Sequence, residues 1–143
     1  MAMKIRKATT KDIPQLVRLY KGVKEIADFA GQKYDKNYFK YFIKGKHNIV
    51  LVAEDKGNII GSLNAEFEDD TKFTFFINLV VSTKHRSKGI GRKLMSALAK
   101  ASKKRRHTRI FGLVYKWNKG MQRLNERMGY KPSGNMILYT KKL

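Results

Sequence analysis

The sequence contains no cysteine and only two prolines among its 143 residues. Without cysteine, disulfides, thiolate metal ligands and cysteine nucleophiles are all excluded. No apolar run approaches the roughly 20 residues of a membrane span, and the N-terminus lacks the apolar core of a signal peptide. We therefore expect a cytoplasmic protein with no membrane partner, in which residues 1–143 form one domain.

Acidic residues are also scarce, since 11 Asp and Glu oppose 32 Lys and Arg, which gives a formal net charge of +21. Such a charge predicts attraction to polyanions, although a lysine-rich solvated surface is an equal alternative. The basic run at 100–109 could contact nucleic acid through its phosphates, or it could complement the dipole at a helix C-terminus. Nucleic acid is therefore a possible partner.

The hydrophobic periodicity predicts a mixed α/β fold around one sheet. Predicted strands cover residues 3–8, 48–54, 59–67, 73–81, 109–115 and 136–142. The first predicted helix runs from a cap at Thr9 or Thr10 to Ala27, and Gly31 breaks its pattern. Three further helices are predicted over 37–43, 89–103 and 118–128. The longest apolar run, at 73–81, is expected in the middle of the sheet.

Two glycines, Gly89 and Gly91, stand between this apolar strand and the following helix. Glycines allow a tight turn, and a helix start directs unpaired N–H groups at an anion, so the segment predicts a phosphate site. Lys88 and Arg92 add positive charge. The third glycine of a dinucleotide fingerprint and the Gly-Lys-Ser of a P-loop are both missing, which disfavours these two loops.

The segment from Arg86 to Gly91 resembles the acetyl-CoA loop of the GNAT N-acetyltransferase superfamily. The pattern of that loop is Gln or Arg, two residues, Gly, any residue, then Gly or Ala. The second signature of the superfamily, a helix led by asparagine and closed by a glycine-aromatic turn, matches 118–130. Both signatures stand in the order of the superfamily. The resemblance implies a mixed, mostly antiparallel central sheet flanked by helices.

The resemblance also implies acetyl-CoA as cosubstrate. The end of the central strand should splay from its neighbour and pair with the pantetheine arm, and the loop N–H groups should hold the pyrophosphate. Asn118 should contact the pantetheine, although a plain helix cap is an alternative. The implied cofactor-binding residues are Leu79, Val80, Val81, Arg86, Ser87, Lys88, Gly89, Ile90, Gly91, Arg92 and Asn118.

The implied chemistry is direct transfer of an acetyl group to an amine whose identity the sequence does not reveal. It requires a base, an oxyanion donor such as the N–H of Val80 or Val81, and an acid for the leaving thiolate. The position where many members carry the acid tyrosine is Asn125, which has no titratable proton. Candidate substitutes are Tyr115 and Tyr130, with core packing as the alternative for both.

No carboxylate lies on the central strand before the loop, so the base must come from elsewhere. Asn78 could hold a water molecule, and Glu66 and Glu68 on the adjacent strand are the nearest plausible bases. Both carboxylates could equally be solvated charges at the sheet edge. The three histidines have no metal-ligand spacing, so no metal site is expected. His85 is expected to be a surface residue.

The resemblance places the acceptor near the first two helices and the turn at Asp69 and Asp70. These carboxylates would suit a cationic amine, whereas the net charge favours an acidic partner. An alternative function is an acyl-CoA-binding or polyanion-binding module of the same fold with weak or no turnover. A further alternative is a protein associated with RNA or the ribosome through its charge. The protein is expected to be a monomer, or a homodimer paired through its last strand.

Overall fold

In the computed structural model, which describes residues 3–23 and 32–143, five strands form one sheet in the order β1-β2-β3-β4-β5. The strands are β1 (Lys4–Lys7), β2 (Asn48–Asp55), β3 (Asn58–Glu68), β4 (Phe73–Val81) and β5 (Arg109–Gly112). The helices are α1 (Ile13–Lys21), α2 (Lys36–Lys44), α3 (Ile90–Lys104) and α4 (Lys119–Arg127). Strands β1 to β4 are antiparallel neighbours and β5 is parallel to β4, so the predicted mostly antiparallel sheet is confirmed.

Helices cover both faces of this sheet. Leu94 and Leu98 of α3 pack on one face, while Leu16 of α1 and Phe39 of α2 pack on the other. Strand β2 supplies side chains to the two faces alternately, because successive residues of a strand point in opposite directions. Its run at 49–53 is buried on both sides, which explains why it reads as continuously apolar.

A carboxylate fixes the turn that leads into α1, and Thr9, one of the two predicted cap residues, begins this turn. Asp12 accepts a hydrogen bond from the backbone N–H of Thr9 at 2.7 Å and a two-pronged bond from Arg6 at 2.8 and 2.9 Å. The Arg6 guanidinium lowers the pKa of this carboxyl group. The predicted continuation of the helix to Ala27 and its end at Gly31 lie outside the described residues.

Two predicted strands differ from the structure. Residues 136–142 form no strand, and the side chains of Met136 through Tyr139 are exposed. Their β propensity is realised only against a partner strand, and no described strand pairs with them. β5 ends at Gly112 rather than Tyr115, because β4 turns away from it there. None of the described helices is long and apolar enough to cross a membrane.

Candidate active site

Strands β4 and β5 run side by side only over their first four residues and then separate. Their parallel pairing begins with Phe73 opposite Arg109 and ends with Phe76 opposite Gly112. Beyond that pair, a cleft with a volume of about 750 Å³ opens between β4 and residues 113–115, and the start of α3 and one side of α4 close it. The strands therefore splay where the resemblance implied that they would.

The last pair before the cleft requires a glycine. A Cβ atom at Gly112 would overlap the ring of Phe76. The Phe76 ring in turn packs edge to face on Tyr130, with 6.0 Å between ring centroids. A large ring on β4 and a bare backbone on β5 therefore fix the point at which the two strands stop pairing.

A β-bulge then bends β4 away. Its register with β3 passes from Phe76 opposite Ala65 to Asn78 opposite Asn64, which leaves Ile77 as an extra residue. A bulge of this kind bends its strand and increases the local twist. Both Ile77 and Asn78 face the side of the sheet covered by α1 and α2. The bulge thus lies at the inner end of the cleft, and it places the polar side chain of Asn78 in the cleft wall.

The strand edge beyond the bulge exposes backbone groups to the cleft. The N–H of Ser82 donates to the carbonyl of Ile60 on β3 at 2.9 Å. Because backbone N–H groups alternate in direction along a strand, the N–H of Val80 also faces β3. The N–H groups of Leu79 and Val81 face the cleft. Of the two amides named as oxyanion donors, the structure directs that of Val81 toward the ligand space.

The loop between β4 and α3 is tight and basic. Ser87 and Gly89 both adopt left-handed backbone angles, with φ of 62° and 79°. Gly89 is the N-cap residue of α3, and no side chain among the described residues caps this helix end. The N–H groups at 90–92 therefore have no intrahelical acceptor, and with the helix dipole they favour an anion. Arg86 steadies the loop by donating from Nε to the carbonyl of Val81 at 3.3 Å.

All the predicted cofactor-binding residues except Lys88, which is exposed, line this cleft. Gly91 allows a close approach of elements there, because a Cβ at this position would lie 3.1 Å from a side-chain carbon of Leu124 and 3.3 Å from one of Leu79. His85 also lines the cleft, and its Nδ1 is buried without a hydrogen-bond partner among the described residues. His85, which the sequence predicted to be a surface residue rather than a base, is thus half-buried at the cleft wall.

The two asparagines of the second signature have different surroundings. Asn118 caps α4, since its Oδ1 accepts the backbone N–H of Met121 at 3.1 Å, and it also lines the cleft. The structure is therefore consistent with both alternatives for Asn118, a helix cap and a contact with the pantetheine arm. Asn125 does not line the cleft, and its buried Oδ1 has no partner among the described residues.

A chain of buried polar groups leads from the core to the bulge. Tyr20 donates its hydroxyl proton to Asn64 Oδ1 at 3.0 Å. The amide groups of Asn64 and Asn78 donate to the hydroxyl oxygen of Tyr38, at 2.9 and 3.4 Å. Since both amides use this oxygen as acceptor, the Tyr38 proton is directed elsewhere. Burial raises the pKa of Tyr38 to about 12, so the group stays a neutral phenol at physiological pH.

Of this chain, sequence reasoning named Asn78 but missed Tyr38 and Asn64. Tyr38 lies within a dense aromatic segment, at 34–42, whose pattern is typical of core packing and of an acceptor pocket alike. A usable signal was present, because Asn64 and Asn78 each interrupt an apolar strand run. Amides within apolar strands need hydrogen-bond partners, so two of them on neighbouring strands predict a shared polar partner.

The two candidate tyrosines are not brought together. Tyr115 lines the cleft and stacks on Trp117, with 5.6 Å between ring centroids. Tyr130 packs against the core and does not line the cleft, and burial raises its pKa. Of the two, only Tyr115 is placed to reach a molecule in the cleft.

Glu66 opens onto a second cavity, of about 430 Å³, on the side of α2. Tyr34 and Ile77 line both this cavity and the cleft, so the two spaces adjoin at the bulge. Glu68 lines neither cavity, and its carboxylate instead accepts the backbone N–H of Asp70 at 3.1 Å. Glu66 is therefore the better placed of the two carboxylates.

Asp69, which was expected near the acceptor, has a structural role, because three basic side chains bind its carboxylate. Its carboxylate accepts from His107 at 2.7 Å, from Arg105 at 2.8 Å and from His47 at 3.2 Å. The hydrogen bond from His107, followed by that from Arg105, lowers the pKa of Asp69 to about 2. These bonds join the β3–β4 turn to the end of α3, at the opposite end of β4 from the basic loop. Two members of the basic run at 100–109 thus hold the fold together.

The described residues contain no group of His, Asp and Glu side chains that could hold a metal ion. The site is therefore built from a strand edge, an anion-favouring helix start and neutral polar side chains. This arrangement suits a long ligand with a phosphate group at one end and a reactive group at the other.

Comparison with known proteins identifies the family. The model of the Acetyltransferase (GNAT) family matches residues 14–130. A relative from Archaeoglobus fulgidus, described as an uncharacterized N-acetyltransferase, is 34% identical over 104 residues, which are 65% of this chain and 69% of that protein. The chain belongs to the GNAT acetyltransferase family, and the resemblance in its two signatures is confirmed.

Solved structures show the same fold. An aminoglycoside acetyltransferase from an uncultured soil metagenomic sample, in complex with sisomicin, superposes with a TM-score of 0.82 at 20% identity and covers 99% of this chain and 97% of its own. The PaiA N-acetyltransferase from Thermoplasma acidophilum, in complex with coenzyme A, superposes with a TM-score of 0.84 at 16% identity and covers 95% and 94%. At these identities the likeness supports the α/β fold.

Proposed function

We propose that this protein is an acetyl-CoA-dependent N-acetyltransferase whose cosubstrate lies in the cleft between β4 and α4. One observation carries the proposal: a single cleft combines an open strand edge with an uncapped, basic helix start. Acetyl-CoA has the matching parts, because its pantetheine arm contains amides and its other end a pyrophosphate. The relatives support this choice, since one of the superposed structures holds coenzyme A.

The residues present fit this ligand. The N–H groups of Leu79 and Val81 can pair with pantetheine as an added strand would. The loop from Arg86 to Arg92 offers consecutive N–H groups to the pyrophosphate, and glycine at 89 and 91 lets the phosphates come close to the backbone. Lys88 and Arg92 are exposed cations beside this loop and can meet the remaining phosphate.

The cosubstrate supplies an activated acetyl group and a thiolate leaving group. The acceptor amine approaches from the second cavity, where Glu66 or a water held by Asn78 removes its proton. The N–H of Val81 faces the space where negative charge develops on the acetyl oxygen. Tyr115, which lines the cleft, or water returns a proton to the thiolate. Water suffices because the pKa of a thiol is about 8.5.

The alternative is a binding module with weak or no turnover, and Asn125 is the observation that favours it. Asn125 lacks a titratable proton and does not line the cleft. A polyanion partner such as RNA is a further alternative, supported by the net charge of +21. It draws less support from the basic run, because Arg105 and His107 are engaged with Asp69.

Residues 1–143 are proposed to act as one catalytic domain in the cytoplasm. A homodimer is an open possibility, because Met136 through Tyr139 expose large apolar side chains that a second chain could cover. Sedimentation of the purified protein separates monomer from dimer.

Calorimetric titration at moderate salt tests the cofactor, with acetyl-CoA as ligand and ATP as the polyanion control. Saturable binding of acetyl-CoA that is much tighter than that of ATP supports the proposal. Equal, salt-sensitive binding of both would contradict it, because the loop would then be only part of a general basic surface. Tight acetyl-CoA binding without transfer to any amine in a broad panel would favour the binding module.

A further inference from the structure

We propose that the second cavity selects a small amine that carries one ammonium group on an apolar or aromatic body. This inference rests on the proposed function, because it takes the cavity as the acceptor site of the acetyl transfer. We call this space the aromatic cavity. Its lining residues are Gln32, Tyr34, Tyr38, Tyr41, Phe42, Glu66 and Ile77.

Four aromatic rings form a continuous wall. Tyr38, Tyr41 and Phe42 fall at helical spacing of three and four, so they share one face of α2. The rings of Tyr34 and Tyr38 lie 5.0 Å apart, those of Tyr38 and Phe42 4.8 Å apart, and those of Tyr41 and Phe42 5.3 Å apart. Such a wall favours an apolar body by burial and a cation by the negative faces of its rings.

Among the described residues that line this cavity, one carboxylate carries the only charge. Glu66 forms no ion pair with any described residue, and its charge contributes to raising the pKa of Tyr38. This is informative in a chain with 32 basic and 11 acidic residues, because the net positive charge repels cations from the molecule as a whole. A single carboxylate balances a single ammonium group. A polycation would bring charges that the cavity does not neutralise and that the surface repels.

The cavity places such an amine at the reacting group. Tyr34 and Ile77 separate it from the cleft at the bulge, where β4 turns away from β5. An alkylamine enters as its ammonium form at neutral pH. Glu66 accepts one proton from the ammonium group, and the neutral amine nitrogen then bonds to the acetyl carbon while the carbon–sulfur bond breaks. The second proton that the nitrogen loses is carried by water to the thiolate, so the products are the amide and free CoA. Glu66 is exposed, so its proton passes to solvent.

Binding of matched probes to the CoA-saturated protein tests the selection by charge. We expect 2-phenylethylamine to bind at least about tenfold more tightly than the neutral 2-phenylethanol. The ammonium group interacts favourably with a carboxylate and with aromatic faces, and the hydroxyl group of its neutral isostere does so much less. Glu66→Gln should remove most of this difference. Glu68→Gln, the same substitution two residues along the same strand and outside the cavity, should preserve it. Equal binding of the two probes to the unmodified protein would overturn the inference.

Two variants of an exposed ring test the wall. Tyr41 is 64% exposed, so its substitution leaves the core intact. Tyr41→Phe keeps an aromatic face and should keep the preference for the amine, whereas Tyr41→Leu should reduce it several-fold. Equal affinities in the two variants would contradict the role of the ring.

Turnover distinguishes this inference from the proposed function. With acetyl-CoA saturating, kcat/KM should be higher for 2-phenylethylamine than for the polycations spermidine and kanamycin. A higher kcat/KM for either polycation would overturn the inference while leaving the acetyltransferase proposal standing. Failure of CoA itself to bind would instead contradict the proposed function.

Discussion

Replacing Gly91 with aspartate puts a carboxylate at the second residue of α3, beside the loop that we propose for the pyrophosphate. The new Cβ would lie 3.1 Å from a side-chain carbon of Leu124 and 3.3 Å from one of Leu79. Both leucines line the cleft, so the added group stands at the cleft wall. We expect Gly91→Asp to lose CoA binding.

The size of the loss follows from the charges. Two unit charges about 5 Å apart at an effective dielectric constant of about 20 repel by about 3 kcal/mol. That energy weakens binding by at least about a hundredfold, and the second phosphate adds to it. Gly91→Ala introduces the same Cβ without the charge. Because the leucine ends can shift and alanine favours a helix by about 1 kcal/mol over glycine, we expect the alanine variant to fold normally and bind within about tenfold of the original.

Calorimetry with CoA measures the three affinities, and thermal unfolding checks that each variant is folded. Gly134→Asp is the matched control, because a Cβ at Gly134 meets nothing within 4 Å and the residue lies outside the cleft. It adds the same charge and should bind CoA as before. Normal CoA binding by a folded Gly91→Asp would refute this placement of the pyrophosphate.

Three further predictions concern the interactions that stabilise the fold. Tyr38→Phe removes the acceptor of the buried Asn64 amide and of the half-buried Asn78 amide. It should lower the free energy of unfolding by about 1–3 kcal/mol with CoA affinity unchanged, and denaturant unfolding and calorimetry measure the two quantities. Gly112→Ala should lower the melting temperature strongly, because its Cβ overlaps the Phe76 ring; a melting temperature equal to that of the original chain would contradict this. The pKa of Asp69 is lowered in the folded state to about 2 from 3.8, so its stabilising contribution is present above about pH 4 and lost as pH falls through 2. Asp69→Asn should therefore unfold more easily near neutral pH and lose less stability on acidification, and parallel acid titrations would refute the assignment.

Local patterns allowed much of this fold to be predicted. The loop from Arg86 to Gly91 and the helix start after it depend on residues that are neighbours in sequence, so their spacing alone indicated a phosphate site. The order of strands and helices followed from hydrophobic periodicity. The turn that leads into α1 likewise depends on near neighbours in sequence, because the N–H of Thr9 donates to Asp12 three positions away.

The parts that could not be predicted depend on pairings between distant residues. Tyr20 and Asn64 are 44 positions apart, and Asp69 and His107 are 38 apart. The residues next to Asp69 in sequence do not show that its carboxylate is hydrogen-bonded to distant basic side chains and is therefore unavailable to an acceptor. The prediction of a strand at 136–142 was wrong for a related reason. A strand forms only when it pairs with the edge of a neighbouring strand, and local propensity does not show whether such an edge is present.

Amine-dependent release of CoA from acetyl-CoA, measured together with the mass of the acceptor, tests the central claim most directly. The account predicts that thiol release rises with the concentration of 2-phenylethylamine and that the amine gains one acetyl group. It also predicts that Gly91→Asp abolishes both signals and that Gly134→Asp preserves them. Release of CoA without an acetylated amine, or at the same rate in the absence of any amine, would contradict the assignment of an N-acetyltransferase.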